Sequence, residues 1–321
     1  MNRQAGRDVL RKVTVAGAAV MAAGVGACAA PAGGGRGARR EGVTTFVFVA
    51  GAGGGASGDN ELAMRGHRTV GVELPGQGPE NGQFRVSYQA PQDLAALATE
   101  PSPMAGITLD DYVNRTVEVV RRVAEHGPVV LFGGSMAGAT LSRVGNVVPD
   151  LIDRIVYDSA FCCVDLPSPA DYLATPEGST SLGMNLVAGV VADPATIGAL
   201  RINYRSADPA FLAGVKAAVM AEGSQHEFMA LLNSLLPDES LAVSTADARG
   251  EKDTWGRIPR TYIRHTLDRI LPIALQDRMI AEADALTPDN RFDVRTVHTS
   301  HYPIATAYRE ITEILDSLAI R

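Results

Sequence analysis

The 321-residue chain has only three cysteines, and it contains no Cys-x-x-Cys or His-x-x-x-His spacing. Metal sites commonly depend on such pairs, so the sequence predicts no metal site and no cofactor. A Gly-Lys-Ser/Thr phosphate loop and a basic stripe are also missing. These absences argue against nucleotide binding and against a nucleic-acid partner.

The first 27 residues have the layout of an export signal, with a basic start followed by the apolar run Val13–Ala27. That run is too short and too rich in Gly and Ala for a stable membrane span. Val25-Gly26-Ala27 before Cys28 resembles a bacterial lipobox, which implies lipidation of Cys28. An ordinary cleaved secretory signal is the alternative, so we expect an exported protein, either an outward-facing lipoprotein anchored in the cell membrane through Cys28 or a secreted one.

The export route and the segment after the signal are less constrained. Residues 6–12, Gly-Arg-Asp-Val-Leu-Arg-Lys, resemble a twin-arginine signal but lack its first arginine, so both export routes stay open. Residues 28–42 are rich in Gly and Arg and are predicted to be a flexible tether. The chain after residue 27 holds 25 basic and 35 acidic residues, a net charge of −10, which again disfavours nucleic acid.

Short apolar runs alternate with helical patterns through residues 43–321, and this alternation predicts one α/β domain with a mostly parallel sheet of about six strands and helices on both faces. The predicted strands are Thr44–Val49, Thr69–Val72, Val129–Phe132, Arg154–Tyr157, Arg260–Ile263 and Phe292–Val297. The predicted helices are Leu109–Ala124, Ile273–Ala285 and Ile304–Leu318. Sites in such sheets lie at the carboxyl ends of the strands.

Two stretches break the alternation. Pro75–Gly106 is rich in Pro, Gln and Gly, whereas residues 163–256, called the insertion below, contain helical pieces at Asp208–Met220 and His226–Leu236 but no convincing strand. We interpret the insertion as a helical cap over the site; a plain surface insertion is the alternative. At its start, Cys162 and Cys163 are adjacent, and we expect two buried thiols rather than a strained neighbouring-residue disulfide.

Residues 129–138, Val-Val-Leu-Phe-Gly-Gly-Ser-Met-Ala-Gly, carry the strongest functional signal. An apolar strand runs into a turn of small residues with Ser135 at its apex, and a helical pattern follows. This is the layout of a nucleophile elbow. Gly133 and Ala137 are small because the backbone around the serine is crowded, and the Met136 amide at the helix start can stabilise an oxyanion.

An activated serine needs a base, and the base needs an acid to orient it. Of the six histidines, His301 lies in the loop beyond the last predicted strand and is the predicted base, with His298 at the strand end as the alternative. Asp268 follows the strand at 260–263 and is the predicted acid. Asp158, which follows the strand at 154–157, is the alternative acid. The glycine-rich loop after the first strand supplies a second oxyanion donor, which we assign to the Ala52 amide.

These segments together resemble the α/β-hydrolase superfamily, most closely its small esterase and hydroxynitrile-lyase branch, which includes plant methyl-salicylate esterase. The blocks that carry the resemblance are residues 46–52, residues 106–110, the elbow, and residues 258–280. The resemblance implies the α/β-hydrolase fold, a Ser135–His301–Asp268 triad and a small apolar carboxylic ester as substrate. Amide, lactone and thioester bonds stay open.

The chain departs from this branch at four residues. Ala50 and Gly134 stand where histidines are common, and Tyr302 follows the predicted base where the lyases carry a lysine. The last difference, with Ala52 in place of the lyases' threonine, favours an esterase. A carbon–carbon lyase and a non-catalytic binding protein on the same fold remain the alternatives.

Overall fold

A computed structural model describes residues 42–78 and 82–320. The predicted signal peptide, the lipidation site Cys28 and the predicted tether up to residue 41 lie outside the described residues. None of the described helices combines the length and apolar composition needed to cross a bilayer.

A six-stranded parallel sheet forms the centre of the molecule. Its strand order is β2-β1-β3-β4-β7-β8, and every neighbouring pair is parallel. The strands are β1 (Thr45–Val49), β2 (Arg68–Gly71), β3 (Val129–Ser135), β4 (Arg154–Ala160), β7 (Arg260–His265) and β8 (Asp293–Val297). All six predicted strands are therefore present, and the predicted fold class is confirmed.

Helices cover both faces of this sheet. Those on the body are α1 (Asn60–Met64), α2 (Leu94–Leu97), α3 (Leu109–Ala124), α4 (Ala137–Val147), α10 (Ile273–Leu286) and α11 (Ala305–Ser317). Those in the insertion are α5 (Pro169–Leu173), α6 (Met184–Val187), α7 (Pro194–Ile197), α8 (Pro209–Val219) and α9 (Gln225–Ser234). The helical spacing of apolar residues predicts α3 with the observed bounds, and in the structure Thr108 and Asp111 form a capping box at its start.

Alternate residues along each strand face opposite sides, so the four central strands contribute to two apolar cores. On one side, Val47 and Leu131 join a large core that includes residues of α3, α4 and α10. On the other side, Phe46 and Val130 pack with Ile311 and Leu315 of α11. Because both faces of β1 and β3 are largely buried, these two strands contain continuous apolar runs rather than alternating patterns.

The insertion contains two short strands that the sequence analysis did not predict. β5 (Ala199–Arg201) and β6 (Asp238–Ser240) pair antiparallel. Three residues are too few to display a strand period, and a buried ion pair contributes to their pairing. Arg201 Nε lies 2.6 Å from Asp238 Oδ1, and neither side chain is exposed. The interpretation of the insertion as free of strands was therefore wrong.

The two adjacent cysteines that follow β4 are free thiols. Cys162 and Cys163 are both completely buried, as expected from the sequence. Burial raises the pKa of Cys162 to about 12, so its thiol stays protonated and unreactive at neutral pH.

Candidate active site

Ser135 occupies a sharp turn between β3 and α4. Its φ angle is +56°, in the left-handed region that is unfavourable for side-chain-bearing residues. The register between β3 and β4 shifts at this point, and the Ser135 carbonyl accepts a hydrogen bond from the Phe161 amide at 3.0 Å. These contacts hold the strained residue at the carboxyl end of the sheet, with its side chain partly exposed.

The small residues around Ser135 are required by close packing. A Cβ atom on Gly133 would lie 2.7 Å from Cβ of Ala137 and 3.0 Å from the Val49 carbonyl oxygen. A Cβ atom on Gly138 would lie 1.9 Å from the Phe161 carbonyl oxygen. The structure therefore explains why the residues two positions before and after Ser135 are glycine and alanine.

The loop after β1 lies directly against the elbow. A Cβ atom on Gly51 would lie 3.2 Å from Cβ of Ser135 and 3.5 Å from the Met136 amide nitrogen. Within residues 42–78 and 82–320, no acceptor takes the amide hydrogens of Met136 or Ala52. Two unpaired donors therefore lie on segments that flank Ser135, as an oxyanion site needs.

His301 and Asp268, predicted from separate parts of the sequence, form a hydrogen-bonded pair. His301 Nδ1 lies 2.7 Å from Asp268 Oδ2, and the exposed fractions of their side chains are 6% and 0%. A carboxylate only accepts, so the Nδ1 proton is donated to Asp268 and Nε2 is left for proton transfer. This tautomer is the one a general base for a serine needs.

Three further donors fix the Asp268 carboxylate. Its Oδ1 accepts the amides of Ile270 at 2.7 Å and Leu271 at 2.9 Å, and its Oδ2 also accepts the Ser159 hydroxyl at 2.6 Å. Burial raises the pKa of Asp268, but the charge of His301 and these hydrogen bonds outweigh it, so the pKa is lowered overall. Asp268 is therefore ionised at neutral pH and able to orient the imidazole.

The structure brings the predicted residues to one edge of the sheet without closing every contact between them. No hydrogen bond joins Ser135 Oγ to His301 Nε2 among the described residues. Such bonds are often loose in unliganded enzymes and tighten when substrate binds. Nor do any three His, Cys, Asp or Glu side chains of the described residues converge as metal ligands would.

Neither alternative residue occupies the corresponding position. His298 is exposed, and its Nδ1 lies 2.8 Å from the Thr266 hydroxyl. Asp158 pairs instead with a buried histidine, His265, whose Nε2 lies 2.8 Å from Asp158 Oδ1. Burial lowers the pKa of His265, but the charge of Asp158 and its hydrogen bond more than offset this, so the pKa is raised.

The insertion is hydrogen-bonded to both loops of the site. The Gly53 amide donates to Glu239 of β6, and the Gly53 carbonyl accepts the Leu236 amide at 2.9 Å. On the histidine loop, the Ser300 amide donates to Glu222 at 2.6 Å. The sequence analysis missed both carboxylates, because a single glutamate in a long insertion gives no local signal.

A groove of about 610 Å³ lies between α9, α11 and the carboxyl ends of β1 and β3. Ala50 and Tyr302, the chain neighbours of Gly51 and His301, line it, whereas the predicted catalytic residues and oxyanion donors do not. Its walls are mostly apolar, and they include Phe48, Phe132, Met220, Leu231 and Tyr302. Of the apolar residues in the helices of the insertion, Phe211, Phe228 and Leu232 are instead buried within the insertion. These three side chains therefore stabilise the packing of the insertion itself, while Leu231 lines the groove.

Comparison with known protein families identifies the family of the chain. The profile of the alpha/beta hydrolase family matches residues 46–314, and the chain belongs to that family. The predicted superfamily is thus confirmed. No curated protein sequence gives a significant match.

Several solved structures share the fold. An extracellular alpha/beta-hydrolase from a Paenibacillus species, described as a structural and functional homologue of tobacco salicylic acid binding protein 2, is 20% identical, with a TM-score of 0.57 over 85% of this chain and 97% of that one. Polyneuridine aldehyde esterase is 20% identical, with a TM-score of 0.59 over 86% and 99%. A pyrethroid hydrolase from Sphingobium faniae is 20% identical, with a TM-score of 0.58 over 85% and 96%. At this identity the likeness establishes the fold.

Proposed function

We propose that the protein is an exported serine hydrolase that cleaves small apolar carboxylic esters. The observation that carries the proposal is the hydrogen bond between His301 Nδ1 and Asp268 Oδ2 at the same sheet edge as the strained Ser135. The esterases among the similar structures support the choice of an ester.

The chemistry follows from the positions of the groups. Ser135 Oγ attacks the ester carbonyl carbon while His301 Nε2 takes its proton, and Asp268 stabilises the imidazolium that forms. The amides of Met136 and Ala52 donate to the developing oxyanion. His301 then protonates the departing alcohol, and water, activated by the same imidazole, releases the acid and restores the serine.

The apolar groove supports a substrate with an apolar part, because its walls include Phe48, Phe132 and Leu231. In this proposal the insertion acts as a cap and Leu231 contributes to substrate preference. The single domain at 43–321 carries the chemistry. The signal at 1–27 directs export, and lipid on Cys28 holds the domain at the membrane through the 28–42 tether.

A chain-length series of p-nitrophenyl esters tests the proposed activity. Wild type is expected to prefer short acyl chains, and the Ser135→Ala variant, purified in the same way, is expected to lose turnover by about 10³-fold or more. Turnover by the variant within about tenfold of wild type would assign hydrolysis to a different group or to a contaminant.

A further inference from the structure

Ser300, the residue before His301, has its backbone and side-chain polar atoms paired. Its amide donates to Glu222 Oε1 at 2.6 Å, and its hydroxyl donates to Glu222 Oε2 and accepts the Ala221 amide at 3.1 Å. Its carbonyl oxygen lies 3.0 Å from His265 Nδ1. Hydrogen bonds therefore hold Ser300 both to Ala221 and Glu222 of the insertion and to His265 at the end of β7.

His265 is suited to this contact because its side chain is buried and both of its ring nitrogens are hydrogen-bonded. Its side chain is 1% exposed, and its other ring nitrogen, Nε2, lies 2.8 Å from Asp158 Oδ1. The Ser300 carbonyl can only accept, so Nδ1 must carry a proton, and a further proton is shared between Nε2 and the carboxylate. Gln276 also fixes the backbone here, accepting the His265 amide at 3.0 Å and donating to its carbonyl at 3.0 Å.

The hydrogen bond between His265 and the Ser300 carbonyl affects the orientation of the His301 side chain. Ser300 and His301 share a peptide plane that contains the Ser300 carbonyl, and the peptide bond is rigid. A donor that fixes this oxygen therefore fixes the start of the His301 backbone. Misplacement of a catalytic group by about 1 Å can cost about 100-fold in rate.

We propose that His265, itself held by Asp158, is a positioning residue for the reaction: its hydrogen bond to the Ser300 carbonyl sets the orientation of His301. The proposal rests on the proposed function, in which His301 is the general base. His265 does not touch the reacting atoms. It belongs to a second histidine–aspartate pair, and that pair contributes geometry rather than proton transfer.

Two substitutions separate the two hydrogen bonds of His265. In His265→Asn the side-chain nitrogen stands near the position of Nδ1 and keeps the donor to Ser300, while the bond to Asp158 is lost. In His265→Gln the nitrogen stands near Nε2 and keeps a donor to Asp158, while the bond to Ser300 is lost. His298→Gln, the same change on the neighbouring exposed histidine, is the matched control.

The experiment measures kcat, KM and melting temperature for the full-length variants. His265→Gln is expected to lower kcat by about 10- to 100-fold with KM little changed, and His265→Asn to stay within about threefold of wild type. Equal losses in the two variants, or full activity in His265→Gln, would overturn the proposal. If His265→Gln does not fold, His265→Leu takes its place with the same expected loss.

Two readouts keep this test separate from that of the ester activity. The rate of fluorophosphonate labelling of Ser135 needs no knowledge of the substrate, and it should follow the same order as kcat. The downfield proton resonance of His301 Nδ1, bound to Asp268, reports the ring position even if the protein neither labels nor cleaves esters. That resonance should persist in His265→Asn and be lost or broadened in His265→Gln; the same resonance in both variants would contradict positioning through Ser300.

Discussion

Asp268 Oδ2 lies 2.7 Å from His301 Nδ1, although 33 residues separate them in the chain. β7 leads to the first residue and β8 to the second, and these strands are neighbours in the sheet. Backbone amides of Ile270 and Leu271 hold the carboxylate in place. The pair is thus set before any substrate arrives, and this preorganisation is what an acid–base catalyst needs.

The two aspartates at the sheet edge should differ strongly when neutralised. Asp268→Asn should lower kcat by about 10³- to 10⁴-fold, because the amide favours the wrong imidazole tautomer. Asp158→Asn should cost about tenfold or less, since the asparagine can still bond His265. Steady-state kinetics on one ester, with melting temperatures as the control, would reveal a reversed order if Asp158 were the catalytic acid.

The two histidines of the last loop should also differ. His301→Gln should lose about 10³-fold or more of the turnover, because no other imidazole is placed to receive the serine proton. His298→Gln should retain turnover within about threefold, since His298 is exposed and, among the described residues, its ring is hydrogen-bonded only to Thr266. A dead His298→Gln protein with a normal melting temperature would show that the base has been misassigned.

The sequence predicted the fold well because the four central strands are largely buried on both faces. Val129–Phe132 stands out as an apolar run, but β3 continues to Ser135 through Gly133 and Gly134. Glycine has no strand preference, and these residues become strand only because the neighbouring backbones pair with them, Val49 with Gly133 and Asp158 with Gly134.

Some residues of the candidate site could be predicted from the sequence, and others could not. Ser135, Asp268 and His301 were predicted from the sequence because each lies at or beyond the end of a strand, in a family order. The pairing of His265 with Asp158 could not be predicted, because it depends on β7 lying beside β4 after an intervening insertion. Glu222 and Glu239 reach the site loops only through the tertiary packing of that insertion.

Glu239 should give the activity an alkaline limb. Burial is the main factor that raises its pKa to about 8, the Gly53 amide opposes the shift, and Asp238 adds to it. As the pH rises through this value, a negative charge develops beside Gly53, next to the predicted oxyanion donor Ala52. The value of kcat/KM should therefore fall above about pH 8 in wild type, once background ester hydrolysis is subtracted.

Glu239→Gln is the matched control, because glutamine can still accept the Gly53 hydrogen bond but does not ionise. Its kcat/KM should stay level where that of wild type falls; parallel profiles would assign the limb to another group. The raised pKa also means that Glu239 makes its full contribution to the free energy of unfolding below the usual pKa of 4.5. That contribution is lost as the pH rises through about 8. Glu239→Gln should accordingly gain melting temperature relative to wild type across that interval.

The membrane anchor predicted at Cys28 is tested by fractionation. Cys28→Ser should move the protein from the membrane fraction to the soluble exported fraction, because an acyl anchor contributes about 0.8 kcal/mol per buried CH₂. Activity on a soluble ester should be unchanged, since the predicted catalytic residues Ser135, Asp268 and His301 lie far along the chain from Cys28. An intact mass showing an unmodified amino terminus cleaved elsewhere would contradict lipidation.

Covalent labelling of Ser135 is the most direct test of the central claim. The purified protein is treated with a small fluorophosphonate, and the modified peptide is located by mass spectrometry. We predict one label per chain, on Ser135, with labelling abolished in Ser135→Ala and slowed by about 10³-fold in His301→Gln. A folded wild-type protein that takes up no label, or takes it up equally in Ser135→Ala, would contradict the assignment of Ser135 as an activated nucleophile.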